Sequence, residues 1–282
     1  MNPTAEPSIV FRNYDAELYA FGKRLGEEFD KELLRQALTE RSYIVQEENR
    51  QKSVGIESDL DLSDNNFFVF EGEQLMSDYV TQYLKTNLPR LPSEYIKNIH
   101  DFLLHEDTLA DVSKNIGLDD VVLCAEFPVE KTTLARALKG VVQALALSEG
   151  GGNARAKKLV RDFVVTQLAG QDLTPLCSPD DAVGTLSAIL QEQGRSPPEP
   201  RLIGQAGCNT ILAAFQVGIY VDRVLIGKGF GESIEEAKEV AACDALWRMW
   251  DVAPNRQPFP FDLEPPPSHG EIFQPSQKLH SV

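Results

Sequence analysis

Residues 210–229 read TILAAFQVGIYVDRVLIGKG, and this stretch decides the fold of the C-terminal part of the chain. Apolar residues occupy every second position from Phe215 to Val221, which predicts a half-buried β-strand. Asp222–Arg223 follows at the place where a two-residue turn would join this strand to a second one, RVLIGKG. The stretch therefore predicts a β-hairpin.

The sequence on both sides of the hairpin completes a small α/β unit. RLIGQA, residues 201–206, predicts a strand before the hairpin. Apolar residues at helical spacing predict a helix over 182–193 and a closing helix over 234–250. The predicted order is α-β-β-β-α. The Pro- and Ser-containing stretch PLCSPDD (175–181) indicates a linker ahead of it.

The N-terminal part of the chain shows helical periodicity and no clear strand. Its helices are separated by proline and glycine, and residues 53–66 are polar and irregular. The predicted helices cover residues 14–30, 31–45, 67–84, 93–103, 107–116, 131–147 and 153–168. We therefore expect an all-helical domain over 11–174, a linker over 175–180 and the α+β domain over 181–252. Tails at 1–10 and 253–282, the latter Pro-rich, flank them.

Composition restricts the possible functions. The 282 residues carry a net charge of −16, which argues against loose, charge-driven binding to nucleic acid. The four cysteines stand singly without a C-x-x-C pair, so the sequence predicts no zinc site and no disulfide framework. No cofactor is expected either. No apolar run is long enough for a membrane span. The N-terminus has no signal or transit character, which fits a cytosolic protein or a processed chain.

Three stretches of the helical part resemble ribonuclease III. QALTERSY (36–43) is similar to that family's A-L-T-H-R-S-Y segment. Residues 92–118 resemble its middle helices, and TLARALKGVVQALALSEGG (133–151) resembles its helix with the motif D-A-L-E. In that family an endonuclease domain is followed by a double-stranded RNA-binding domain. The resemblance implies the same two domains here.

The resemblance also implies that the catalytic site has lost its function. The family's signature helix, N-E-R-L-E-F-L-G-D, aligns with NNFFVFEGE (65–73). Its active site binds Mg²⁺ through clustered carboxylates, which suit that ion. The positions of the family's acids are occupied here by Asn66, Val69, Glu73, Arg136 and Lys139. Only one acid remains, so we expect no bound metal and no catalysis.

The α+β domain departs from its family in a parallel way. The family's closing helix begins with Lys-Lys-x-Ala-Lys, whose lysines contact RNA phosphates. Here Glu235 and Glu236 replace two of them, and Lys238 remains. Ser233 and Glu236 predict a capping box, which explains the acids by helix stability. The family's G-P-x-H loop reads GCNT (207–210) and lacks the histidine.

A narrower resemblance suggests a role. LVRDFVVTQLAG (159–170) and VGIYVDRVLIGKGFGE (217–232) are similar to a family of mitochondrial large-subunit ribosomal proteins with a ribonuclease III-like domain. This implies a non-catalytic component of the mitochondrial ribosome that contacts ribosomal RNA and neighbouring proteins. Candidate RNA contacts are the basic residues Arg136, Lys139, Arg155, Lys157, Lys158, Arg161 and Lys238.

Two alternatives remain open at this stage. A free double-stranded RNA-binding adaptor for RNA processing would show salt-sensitive duplex affinity from residues 181–252 alone. An active ribonuclease would need a different set of acids, such as Glu71, Glu73 and Asp78. Ribonuclease III enzymes also act as homodimers, and the sequence does not show whether this chain pairs with itself.

Overall fold

The computed structural model describes residues 14–53, 63–150, 152–207 and 213–254. The helical part contains α1 Tyr14–Leu25, α2 Lys31–Ala37, α3 Arg41–Ser53, α4 Asn66–Asn87, α5 Ser93–Leu103, α6 Glu106–Asn115, α7 Lys131–Leu147 and α8 Gly152–Leu159. The second part contains α9 Ala182–Glu192, β1 Glu199–Ala206, β2 Ala214–Val221, β3 Val224–Gly231 and α10 Ile234–Met249. The predicted combination of a helical domain and an α-β-β-β-α domain is confirmed.

The centre of the helical domain is α7, which is buried along most of its length. It packs against α4 closely because Gly72 has no side chain: an added Cβ would lie 2.0 Å from the Lys139 carbonyl oxygen. Gly140 likewise lets α7 approach α2 closely, because an added Cβ would lie 2.9 Å from the Ala37 carbonyl oxygen. Small residues at these crossings bring the candidate positions on α4 and α7 face to face.

The predicted helix over 31–45 is wrong in one respect, because it is interrupted between α2 and α3. Thr39 forms an isolated bridge with Leu123, and the amide of Glu40 donates to the Leu123 carbonyl at 2.9 Å. The apolar stripe continues through the interruption, so periodicity alone did not reveal it. The consequence is functional: the break turns Glu40 towards α7.

The helix predicted over 153–168 is also less regular than expected. After α8 the chain passes through a π-helical turn, Val160–Val164, and a 3₁₀ turn, Val165–Leu168. Val160, Val164 and Val165 are all fully buried there. The change from α-helical to π-helical and then to 3₁₀ hydrogen bonding keeps these valines in the core. Single π-helical turns of this kind occur within α-helices of many proteins.

The three strands form one antiparallel sheet in the order β1-β2-β3. Asp222 and Arg223 have φ values of 51° and 69°, as a two-residue hairpin turn requires. The predicted hairpin is therefore confirmed. Gly227 and Gly229 on β3 lie directly under α10, where an added Cβ would come within 2.3 Å and 2.2 Å of helix carbonyl oxygens. Their lack of side chains lets α10 rest on the sheet.

The two domains are in direct contact in this structure. The Trp247 indole donates a hydrogen bond to the Cys177 carbonyl at 3.1 Å, and the rings of Tyr95 and Trp250 lie 4.8 Å apart. Cys177 is fully buried within the 3₁₀ turn Thr174–Cys177, inside the stretch predicted as a linker. Aromatic contacts of this kind hold α10 against α5. The proposed domain boundaries stay predictions.

Some predictions concern residues outside the described ranges. These are the tail over 1–10, most of the Pro-rich tail, part of the irregular stretch after α3 and the loop residues Cys208–Thr210. Among the helices that the structure describes, none is both long and apolar enough to cross a membrane.

Candidate functional site

The structure brings the positions aligned with the family's acids together between α4 and α7. Arg136 on α7 donates from Nε to Glu40 Oε1 at 3.0 Å and from Nη2 to Asn66 Oδ1 at 2.8 Å. The same Nη2 lies 3.3 Å from Asn65 Oδ1. The guanidinium therefore occupies the centre of the cleft and joins the segment before α3 to the start of α4.

The acid that holds Arg136 is largely buried. Glu40 is 8% exposed and Asn65 is fully buried. Asn65 Nδ2 donates to Glu40 Oε1 at 3.0 Å, so the carboxylate receives two donors within the protein. Removing Arg136 would leave Glu40 without its opposite charge, and an unpaired buried charge is strongly unfavourable. Arg136 is thus part of the internal structure of the cleft.

The second cation of the cleft has its own internal partner. Lys139 Nζ lies 2.9 Å from Glu73 Oε1, with the lysine side chain 13% exposed and the glutamate side chain 55% exposed. Val69, at the position of another family acid, is buried at 7% exposure. The one acid that aligns with the family's set is therefore bound to a lysine of the same chain. Because Glu73 is half-exposed, this pair contributes less than the pair at Glu40.

The residues of this cleft do not fit Mg²⁺. The ion prefers several hard oxygen ligands, whereas Arg136 and Lys139 place positive charge here. The acids next to these cations, Glu40 and Glu73, are engaged in ion pairs with them, so they are not free to act as ligands. Within the described ranges, no group of three or more His, Cys, Asp or Glu residues could hold a metal.

A cysteine lies at the edge of the cleft without the character of a nucleophile. Cys124 is near Glu40, and its thiol donates to the Glu126 carbonyl at 3.3 Å. Burial raises the pKa of the Cys124 thiol above its ordinary value, and the charges of Glu126 and Glu40 raise it further. Because the thiolate is the reactive form, Cys124 is poorly suited to attack.

The alternative set of acids is not brought together. Glu71 and Asp78 line an open groove of about 450 Å³ together with Gln74 and Lys157. Glu73 lies towards Lys139 instead. The three acids proposed for an active ribonuclease therefore do not converge on one site, as clustered metal ligands would have to do.

The basic cluster on α8 and the following turn is divided between internal and exposed positions. Arg155 Nη1 lies 2.9 Å from the Glu28 carbonyl and 3.4 Å from Glu27 Oε2. Arg161 is mostly covered, at 16% side-chain exposure, and pairs with Asp162 at 2.9 Å. Lys158 is exposed. Arg155 thus joins α8 to the segment after α1, and RNA contact by the cluster stays a prediction.

The start of α10 shows the predicted cap with one difference. Ser233 Oγ accepts from the Glu236 amide at 3.1 Å. Glu236 Oε2 accepts from the amide of Glu232, one residue before the cap, at 2.9 Å, rather than from Ser233. Lys238 Nζ lies 3.5 Å from Glu235 Oε2. The acids cap and neutralise this helix end, which suits its dipole and disfavours RNA phosphates.

Sequence reasoning missed Glu40 and Asn65, the inner partners of Arg136. A signal for Glu40 was present, because QALTERSY has glutamate where the family segment has histidine. This added acid accompanies the arginine at 136, so the two changes compensate in charge. Their separation by 96 positions hid the pairing. Asn65 gave no comparable signal.

Comparisons with known proteins agree with this geometry. The family model "Large ribosomal subunit protein mL44, endonuclease domain" matches residues 13–145, and "MRPL44 dsRNA-binding domain" matches residues 177–281. Large ribosomal subunit protein mL44 of Caenorhabditis elegans is 33% identical over 85% of this chain, which spans 60% of that relative's length. Ribonuclease 3 of Symbiobacterium thermophilum is 29% identical over 79% of this chain and 90% of its own length.

A solved structure was also found to be similar. The nuclease domain of ribonuclease III from Campylobacter jejuni aligns at a TM-score of 0.44 and 20% identity, over 55% of this chain and 97% of that chain.

The fold and the cleft define a ribonuclease III-like helical domain joined to a domain of the double-stranded RNA-binding type. Cations stand at two positions that align with acids of the ribonuclease site. The two matching family models describe one kind of protein and between them cover most of the chain. The chain belongs to the mL44 family of large ribosomal subunit proteins.

Proposed function

We propose that this protein is a non-catalytic structural component of the mitochondrial large ribosomal subunit. It would contact ribosomal RNA and neighbouring proteins through its ribonuclease III-like fold. The observation that carries the proposal is the pairing of Arg136 with Glu40 and of Lys139 with Glu73. These contacts replace a metal site by internal ion pairs. The name of the C. elegans relative supports the ribosomal role.

The same contacts support the proposed absence of catalysis. Phosphodiester hydrolysis in this fold family depends on Mg²⁺ and on the carboxylates that bind it. Here the metal position is flanked by a guanidinium and an ammonium group. Restoring hydrolysis would require both cations to leave and new acids to enter the cleft. We therefore expect no Mg²⁺-dependent cleavage of duplex RNA by the purified chain.

Sedimentation of a mitochondrial lysate through a sucrose gradient in high salt tests the ribosomal assignment. Co-migration of this chain with the large subunit is the expected result, because an integral component resists salt that removes loosely bound proteins. Recovery only in the light fractions would overturn the assignment. In that case a duplex RNA titration would decide whether the chain is the adaptor considered above.

The predicted RNA contacts can be tested in the same assay. We expect Arg136→Glu with Lys139→Glu to reduce incorporation into the large subunit. The matched control is Lys85→Glu with Lys97→Glu, which makes the same change of charge at exposed positions on α4 and α5. Because the first variant also breaks internal ion pairs, its thermal unfolding must be measured alongside. Normal incorporation of the first variant would exclude these two residues as RNA contacts.

A further inference from the structure

The sheet of the second domain has an outer face that points away from α10. Gly227 and Gly229 face α10, so Lys228 and Phe230 face outward, as strand alternation requires. A register shift between Ile219 and Tyr220 places Leu225 opposite Tyr220 on the same outer side. Gly218 on β2 pairs with Lys228 on this side. We define the outer sheet face by Arg201, Ile203, Tyr220, Leu225, Lys228 and Phe230.

The centre of the outer sheet face is apolar. An added Cβ on Gly218 would lie 2.5 Å from Ile203 Cδ1 and 2.8 Å from Leu225 Cδ1. These two side chains therefore close over β2 and form one continuous surface. Ile203 is 44% exposed, and Phe230, which pairs with Gln216 of β2, is 65% exposed. A contiguous apolar surface of this kind is a typical docking site.

Three cations, Arg201, Lys228 and Arg223, lie around this apolar centre. The Arg201 guanidinium lies 5.2 Å from the centre of the Tyr220 ring, and it also pairs with Glu199 at 2.7 Å. Lys228 is exposed on β3, and Arg223 is exposed at the tip of the hairpin. A matching partner would combine apolar side chains with carboxylates. Aliphatic Ile203 and Leu225 at the centre favour a peptide over RNA bases, which stack on aromatic rings.

The chain itself contains such a segment beyond the described residues. Residues 259–264 read FPFDLE. The apolar residues Phe259, Phe261 and Leu263 alternate with Pro260, Asp262 and Glu264, a pattern typical of an extended segment with one apolar side. The family model for the second domain continues to residue 281, far beyond the end of α10 at Met249. The segment thus belongs to the sequence unit of this domain.

The position where the chain leaves α10 is compatible with docking on the outer sheet face. An added Cβ on Gly227 would lie 2.8 Å from the Ala245 Cβ, so the C-terminal half of α10 lies over the hairpin end of the sheet. The four residues between 254 and 259 provide five Cα–Cα steps, which can extend over roughly 17 Å. β3 lies against α10 and is an edge strand of the sheet, so the segment would pass around this edge to the outer sheet face.

We propose that residues 259–264 of the same chain bind to the outer sheet face. Phe259, Phe261 and Leu263 cover the apolar centre, while Asp262 and Glu264 lie among the surrounding cations.

Site-specific photo-crosslinking in the full-length protein tests this contact. A benzophenone amino acid at position 230 should form an adduct with the peptide that contains Phe261, within one chain and independently of protein concentration. The matched probe at Val240 is 39% exposed on α10, on the other side of the sheet, and should not form it. Phe259→Ser with Phe261→Ser and Leu263→Ser should abolish the adduct. Pro265→Ala with Pro266→Ala and Pro267→Ala should leave it unchanged.

The remaining outcomes overturn the proposal. Equal yields from positions 230 and 240 would mean random collision of the tail. An adduct whose yield rises with protein concentration would assign the face to a second copy. Adducts formed only with RNA or with another ribosomal protein in purified subunits would assign it to that partner. If the probe at position 230 is photochemically active but forms no adduct with the tail, the tail does not bind to the outer sheet face.

Discussion

The cleft between α4 and α7 and the start of α10 both carry charged residues of the opposite sign at positions where the sequence comparison predicts the families' functional residues. In the cleft, arginine and lysine stand where acids are expected, and they pair with Glu40 and Glu73. At α10, glutamates stand where lysines are expected, and Glu236 contributes to the helix cap. In both places the residues that this chain has instead form contacts within its own structure.

The two regions differ in burial, and burial decides how much each change matters. Glu40 is 8% exposed, so the charge of Arg136 is needed inside the protein. The acids of α10 are exposed, and water and salt screen their interactions. A buried pair resists mutation because removing one partner leaves the other unsatisfied. Substitution of a charged residue should therefore destabilise the protein strongly in the cleft and only weakly at the start of α10.

The largest effect should come from the scaffold beneath the cleft. Gly72→Ala places a Cβ 2.0 Å from the Lys139 carbonyl oxygen, and this neighbour is backbone that cannot rotate away. We expect a loss of about 3 kcal/mol in the free energy of unfolding, at the upper end for overpacked sites. Urea denaturation measures it. An unchanged midpoint would show that α4 and α7 do not approach as closely as described. Gln74→Ala, at an exposed position of α4, is the control.

The next largest effect concerns the buried ion pair directly. Arg136→Ala should lower the free energy of unfolding by about 2 kcal/mol, because Glu40 loses its charged donor. The value is below that for a fully buried pair, since the arginine side chain is 38% exposed. Thermal unfolding measures the change. Arg136→Lys should recover part of the loss, whereas equal losses in both variants would argue against a charge effect.

A smaller effect is expected at α10, and it concerns binding rather than stability. Glu235→Lys with Glu236→Lys replaces two acids by two cations at the start of α10, so the plot of log affinity against log salt should steepen by about 2. Titration of duplex RNA at several salt concentrations measures it. Glu192→Lys with Glu199→Lys, at exposed positions outside α10, controls for net charge. Equal slopes in the two variants would mean that the helix end is not a binding surface.

The smallest effect comes from an exposed pair outside both regions, which provides a baseline. The Lys131 ammonium, mainly through its hydrogen bond, lowers the pKa of the Asp107 carboxyl. The pair therefore stabilises the fold above the unfolded carboxyl pKa of about 4, and this contribution disappears as pH falls through the lower folded value. Asp107→Asn should match the parent protein at low pH and be slightly less stable near neutral pH. Thermal unfolding of both proteins from low pH to neutral pH measures this difference in stability. A variant that is less stable than the parent protein only at low pH would contradict the stabilising role of the Asp107–Lys131 pair.

Local patterns predicted the elements well where local forces determine them. The limits of α5 and α7 agree with the predicted 93–103 and 131–147, and the hairpin at Asp222–Arg223 is in place. The break at Thr39 was missed because it depends on pairing with Leu123, which is distant in sequence. Tertiary contacts of this kind override periodicity.

The candidate site was predictable only in part, for the same reason. Alignment with the family identified Arg136 and Lys139 and predicted the loss of the metal site. It did not show that both cations are held by acids of the same chain. The pairing of Arg136 and Glu40 joins α7 to the segment before α3, and only the folded chain brings these residues together.

A double-mutant cycle on Arg136 and Glu40 tests the central claim most directly. Arg136→Ala, Glu40→Ala and the double variant are compared with the parent protein by urea denaturation. The account predicts a favourable coupling energy between the two side chains of about 1–3 kcal/mol, as for neighbours in one hydrogen-bond network. A coupling energy near zero would contradict the account, because Arg136 would then not depend on Glu40, and the charge of the cleft would be available for another partner.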